Sequence, residues 1–165
     1  MTALLGIDLG ERRIGVAVAD GEDLGARPLV TLRRGRTVDA DVEALSPLID
    51  RHDVVELVIG LPIDAAGHEG PQAIATRAWV ETIGRRLGER VSIVLRDERF
   101  TSHVAESRLG PMSRGRSGGP PSRTQRDAYR ARVDREAAAI ILQDELDSRR
   151  ETRTMAARPT METTP

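Results

Sequence analysis

Apolar positions along the chain fall into short runs separated by turn-forming clusters, and the spacing within each run predicts its element. Residues 4–8 read as a short buried strand and residues 14–20 (IGVAVAD) as a second. Only Gly10-Glu11-Arg12-Arg13 separates them, so the two form a hairpin. Residues 29–32 supply a third strand beyond a Gly-Glu-Asp-Leu-Gly connection. Val38, Val42, Leu45 and Ile49 then recur at helical spacing. Residues 54–60 (VVELVIG) are a continuous apolar run with Gly and Pro behind it, the mark of a central strand covered on both faces.

Residues 62–71 form a loop punctuated by Gly67 and Gly70. Ala75, Trp79, Ile83 and Leu87 stand four apart and predict a second helix, ended by Gly88. Residues 91–95 are a fifth strand, and Thr101 or Ser102 caps a short helix running to Leu109. Residues 110–126, rich in Gly, Ser, Pro and Arg and without periodicity, read as a mobile loop. Val133, Ala137, Ile140, Ile141 and Leu146 define a final helix, and the polar stretch from Ser148 onward predicts a disordered tail. One domain is therefore expected over residues 1–147, with a tail over 148–165. The order of elements predicts an α/β fold: a mixed five-stranded sheet with flanking helices. That is the topology of a ribonuclease-H-like fold, although other α/β domains share the order.

Composition narrows the chemistry. The 165 residues suit one domain of ordinary size, and 39% of them are apolar, enough for a core. Only 2% are aromatic; the single Trp79, Tyr129 and Phe100 cannot tile a surface with base-stacking rings. There is no cysteine, which excludes disulfide scaffolds, thiolate metal sites and cysteine nucleophiles. Net charge is −1, and every basic residue apart from histidine is arginine. Lysine nucleophiles and Schiff bases are thus excluded, and any anion must be gripped by the guanidinium fork. The first residues show no signal peptide, and no run approaches the roughly 18 apolar residues of a membrane helix. A soluble, cytoplasmic protein is expected.

Three acids stand where acids are disfavoured. Asp8 lies on a strand expected to be buried, where a lone carboxylate is costly unless paired or metal-bound. A hydrogen-bonded Asp at a strand end accounts for it equally well. Asp97 and Glu98 follow the strand at residues 91–95, at the carboxyl edge where open α/β sheets bind ligands. Adjacent side chains on an extended segment point opposite ways, so only one of the two can share a site with Asp8. Asp134 falls within about one turn of the apolar stripe of the final helix, where the macrodipole alone explains an acid. Taken together, acids from the first strand, the end of the last strand and the last helix converge in a ribonuclease-H-like fold. Their mutual repulsion is relieved by a hard divalent cation with all-oxygen ligation, Mg²⁺ or Mn²⁺. Two such ions about 3.5–4 Å apart serve phosphodiester hydrolysis.

Charge distribution adds a partner. Between Arg108 and Val133, Arg108, Arg114, Arg116, Arg123, Arg126, Arg130 and Arg132 are opposed by one acid, Asp127. Such a segment can hold a nucleic-acid backbone through phosphate contacts and counterion release; a solvated loop without a partner is the plainer alternative. His52, His68 and His103 show no ligand spacing.

The segments GIDLGERRIGVAVAD, VIGLPIDAAGHEGPQA, RDERFTSHVAES and VDREAAAIILQDELD, in that order, resemble the YqgF family, also called the RuvX or pre-16S rRNA nuclease family. The resemblance spans residues 4–147. It implies a ribonuclease-H-like fold, a cytoplasmic location and a metal-dependent nuclease that processes the 5′ end of pre-16S rRNA. An older family label, Holliday-junction resolvase, implies four-way DNA junctions instead. By motif, Asp8, Glu98 and Asp134 correspond to the catalytic, metal-holding acids; the family pattern selects Glu98 over Asp97, which becomes a supporting neighbour. Arg13 matches a basic position suited to a phosphate or carboxylate contact near Asp8. With Arg114, Arg116, Arg123, Arg126, Arg130 and Arg132 it forms the expected substrate-binding set. Structured RNA or branched DNA is the expected partner, of a monomer or homodimer.

Two features depart from the family pattern: Arg135-Glu136 after Asp134, where small or apolar residues are expected, and Gly118-Gly119-Pro120-Pro121 in the arginine-rich loop. Two other classes compete. GIDLG before a hairpin also opens sugar kinases, actin and Hsp70-type ATPases, which need two domains closing on a nucleotide. A non-catalytic nucleic-acid-binding factor of ribosome assembly is the other, and would show no Mg²⁺-dependent stabilisation.

Overall fold

The computed structural model describes residues 2–98, 101–112 and 119–157. Its strands are β1 (Ala3–Leu9), β2 (Arg13–Ala19), β3 (Arg27–Arg33), β4 (Val54–Pro62) and β5 (Ser92–Glu98). They form one sheet in the order β3-β2-β1-β4-β5. The β1–β2 and β2–β3 pairs are antiparallel, whereas β4 runs parallel to both β1 and β5. An antiparallel meander joined to two parallel strands is the ribonuclease-H-like sheet that the element order predicts.

Side-chain alternation divides the protein into two layers. Leu5, Ile7, Ile14, Val16, Leu57 and Ile59 point to one face, where they pack with Leu45 and Ile49 of α1 (Val38–Arg51) and with Trp79 and Ile83 of α2 (Pro71–Leu87). Leu4, Ala17, Ala19 and Val58 point to the other, against Ala138, Ile141, Leu142 and Leu146 of α4 (Arg123–Ala156). A short helix, α3 (Thr101–Leu109), reaches α4 through Ala105, which clusters with Val133, Ala137 and Ile140. Small residues on the α4 face of β2 let that helix lie close to the sheet, while long aliphatic residues fill the opposite layer.

One charged group sits inside the aliphatic layer. Asp41 of α1 is fully buried. Its carboxylate accepts from the Gly35 amide at 2.7 Å, Arg34 Nε at 3.0 Å and Trp79 Nε1 at 2.9 Å. Arg34 also donates from Nη1 to the Gly10 carbonyl at 2.8 Å, fastening the β1–β2 turn to this network.

The structure corrects the sequence reading in three places. First, β4 and β5 run further than predicted, so Asp97 and Glu98 are the last residues of β5, paired with Leu61 and Pro62. Second, α4 begins at Arg123, inside the expected mobile loop. Ser122 and Gln125 form a reciprocal capping box there, which starts the helix well before its apolar stripe. Third, α4 continues to Ala156 where a tail from Ser148 is expected. Apolar burial stops at Leu146, but ion pairs carry the helix on: Arg149 contacts Glu22, Glu56 and Glu145, and Arg153 contacts Glu22 and Asp23. Residues 158–165 lie outside the described residues.

Candidate active site

Register alone brings Asp8 and Glu98 to the same face. Along β1, Leu4 packs in the α4 layer, and Asp8, four residues on, shares its side; Asp8 faces Gly15 directly across the β1–β2 pair. Along β5, Ile93 and Leu95 pack on the aliphatic side, so Arg96 and Glu98 point to the α4 side. Arg96 confirms this by donating to Glu145 of α4 at 3.3 Å. Asp97 points the other way, toward α2. There the Arg77 guanidinium is pushed up chiefly by its hydrogen bonds to Glu69 and to a smaller degree by the charge on Asp97. The expected supporting role of Asp97 beside Glu98 therefore has no geometric basis; the period of two separates adjacent residues across the sheet.

Two glycines decide how near the acids come. A methyl group on Gly15 would lie 2.0 Å from the Asp134 carbonyl oxygen, so only glycine lets that turn of α4 settle over the partner of Asp8. A methyl group on Gly60 would lie 2.6 Å from Glu98 Oε2 and 2.6 Å from Ile141 Cδ1. The Glu98 carboxylate thus lies over β4 toward Asp8. Asp134 sits well inside α4, so the macrodipole of a first turn does not explain it. Its Oδ2 accepts from Arg13 Nε instead.

The electrostatics follow from this crowding. Asp8 is held well above the ordinary carboxylate range, first by burial and then by the charges on Glu98 and Asp134. Burial pushes Glu98 up to about 7. Among the described residues no hydrogen bond or ion pair reaches either carboxylate. Nor are three His, Cys, Asp or Glu side chains already gathered tightly enough there to hold a metal ion. Two half-buried, unpartnered carboxylates with the charge of Asp134 close by nonetheless form an all-oxygen, anionic donor set of the chemistry that suits a hard divalent cation.

The arginines are dispersed rather than collected in a loop. Arg123, Arg126, Arg130 and Arg132 lie on the exposed first turns of α4, with Arg126 Nη1 donating to the Pro121 carbonyl at 2.6 Å. Arg130 borders a groove shared with Arg12, Arg13 and Asp134. Arg132 borders a different cleft, with Met112, Gln125 and Tyr129. Arg108 is engaged by Glu136 at 3.4 Å, which gives one of the departing residues a structural partner. Arg114 and Arg116 lie outside the described residues. The sequence reading missed Gly15, Arg12 and Asp41. Gly15, Ala17 and Ala19 do mark a small-residue face by their period of two.

The strand order and directions define the class by architecture, a ribonuclease-H-like fold, with the carboxylates of Asp8 and Glu98 on one face of the sheet. The chain belongs to the RuvX family, whose model, described as Holliday junction resolvase, matches residues 2–148. A protein of Anaeromyxobacter sp. (strain Fw109-5) is 42% identical over 145 residues, covering 88% of this chain and 96% of that one. One of Myxococcus xanthus is 37% identical over 150 residues, covering 88% of each. Both are named "Putative pre-16S rRNA nuclease". Among solved structures, Thermus thermophilus RuvC in complex with a Holliday junction substrate aligns over 91% of this chain and 97% of that one, with TM-score 0.49 and 16% identity. The fold assignment rests on strand order and direction instead. The protein is a nuclease, with nucleic acid as its substrate. No helix among the described residues is long and apolar enough to cross a membrane.

Proposed function

We propose that the protein hydrolyses phosphodiester bonds of structured RNA with Mg²⁺ or Mn²⁺, in processing the 5′ end of pre-16S rRNA in the cytoplasm. The observation that carries this reading is the pair Asp8 and Glu98: half-buried on one face of the sheet, without partners among the described residues, and raised in pKa by that burial. Two uncompensated carboxylates held together either keep a proton or take up a cation, and a hard divalent ion is the ligand that their oxygens suit.

Asp8, Glu98 and Asp134 would hold the metal. When bound, a divalent ion supplies Lewis acidity toward the phosphate and lowers the pKa of water. The residues of the chain do the remainder. Gly15 and Gly60 admit the carboxylates to one place, and Arg13, Arg123, Arg126, Arg130 and Arg132 contact the sugar–phosphate backbone, with Arg114 and Arg116 in the same set. Glu98, with its pKa about 7, can take up or release a proton near neutrality when no metal is present.

The test is cleavage of two labelled substrates side by side with Mn²⁺ or Mg²⁺: an RNA carrying the 5′ extension of 16S rRNA, and a four-way DNA junction. Cleavage of the RNA, reduced by about three orders of magnitude in Asp8→Asn, supports the reading. Cleavage of the junction alone supports the resolvase, the reading that the family description favours. If neither is cut and metal leaves the melting temperature unchanged, the protein is a binding factor.

A further inference from the structure

The ion pair between Arg13 and Asp134 has a role that metal holding alone does not explain. Of the three acids, Asp134 is the one whose charge is compensated, and the two side chains remain 28% and 22% exposed. Only Arg13 Nε takes part, so both terminal guanidinium nitrogens have no hydrogen-bond partner among the described residues. Beside the pair, between the β1–β2 turn and α4, lies a polar groove of about 480 Å³. Three arginines (Arg12, Arg13 and Arg130) and three acids (Glu11, Asp127 and Asp134) line it. Its charges balance as it stands. Removing Asp134 from that balance leaves three arginines against two acids, in a groove adjoining the acid cluster.

A guanidinium and a divalent cation on one small carboxylate repel each other, so Asp134 serves one of them well at a time. We propose that Arg13 exchanges partners. Its guanidinium neutralises Asp134 in the metal-free protein, and it takes a backbone phosphate in this groove once Asp134 turns to the cation. The proposal rests on the metal-site reading given above. It makes metal and nucleic acid cooperative, because each ligand releases the half of the pair that the other needs, and the coupling is reciprocal. The planar fork of arginine suits both partners, as bidentate contact with carboxylate and with phosphate uses the same geometry.

The experiment measures binding rather than turnover. Mn²⁺ is titrated calorimetrically into the full chain without nucleic acid. A fluorescein-labelled RNA carrying the 5′ flank of 16S rRNA is then followed by anisotropy, with and without Ca²⁺. Wild type should bind RNA more tightly when Ca²⁺ is present. Arg13→Gln should bind Mn²⁺ about two- to fivefold more tightly than wild type, the range one partly exposed ion pair supports. It should also bind RNA more weakly and lose the effect of Ca²⁺. Unchanged or weaker Mn²⁺ binding by Arg13→Gln overturns the exchange; weaker binding means that Arg13 instead holds Asp134 in place for the metal. Asp8→Asn separates the two levels. If it abolishes Mn²⁺ binding while Arg13→Gln changes nothing, the exchange alone fails; if it too leaves Mn²⁺ affinity intact, the metal site fails as well. Should Arg13→Gln melt early, Arg13→Lys keeps the charge without the fork and should shift both affinities in the same directions, by less.

Discussion

Asp41, fully buried, and Asp8, half-buried, lie on opposite faces of one sheet, and their surroundings differ in kind. Asp41 receives a guanidinium, a backbone amide and an indole N–H, all between 2.7 and 3.0 Å. Asp8 receives no hydrogen bond among the described residues and faces two further acids. A satisfied buried carboxylate organises its neighbours. An unsatisfied one, crowded by like charges, stores free energy that a cation can release. Burial alone therefore does not identify a site; like charges crowded together without partners do.

The sharpest way to break this contrast is to neutralise each acid in turn. Asp41→Ala strands Arg34 and the Trp79 indole and should lower stability by about 3–5 kcal/mol, read in urea unfolding. Asp8→Asn should instead raise the melting temperature of the metal-free protein, because it removes repulsion. Losses of equal size would dissolve the distinction. The next effect is on pH. Burial holds Glu98 up to about 7 against an ordinary 4.5, and Asp8 is raised as well. The folded state thus keeps protons that the unfolded chain releases. Metal-free stability should fall as pH rises from 4.5 to about 7, by up to about 3 kcal/mol, and then level off. Glu98→Gln should flatten that slope in thermal melts.

Smaller effects probe the geometry. Gly15→Ala drives a methyl group into the Asp134 backbone at 2.0 Å. It should cost about 1–3 kcal/mol and reduce cleavage by at least about tenfold through displacement of Asp134. Wild-type cleavage by this variant would show that the close approach of α4 does not set the site. At the opposite end of α4, the acids Glu22, Glu56 and Glu145 share Arg149 and resemble Asp41 in being compensated. Arg149→Ala should lower stability by about 1 kcal/mol and leave the cleavage rate unchanged.

Much of the sheet was legible because strand and helix periods are local properties. The hairpin, the continuous run of β4 and the stripe of α1 stand where spacing places them; in α2 Trp79 and Ile83 do, but Ala75 is exposed and Ala73 and Thr76 are buried in its stead. The ends of α4 were less legible for two different reasons. Its start is written in Ser122 and Gln125, a capping box in a segment whose Gly, Pro and Arg content otherwise reads as loop. Its last turns bury no apolar stripe and depend on Glu22 and Glu56, distant in sequence. Asp41 was hidden because its partners come from the β3–α1 turn and from α2.

The sequence by itself determined the kinds of element, their order, the absence of thiol and lysine chemistry, and the four motifs that mark the family. Each of these is a matter of residue type and short-range spacing. The family pattern named Glu98 over Asp97, but only the tertiary structure gave the physical reason, the register of β5 against β4 that turns Glu98 to the side of Asp8. It alone brought Arg13 to Asp134 across 121 positions of chain. It alone gave Gly15 and Gly60 their meaning, because the effect of a missing side chain is set by what packs into the space it leaves.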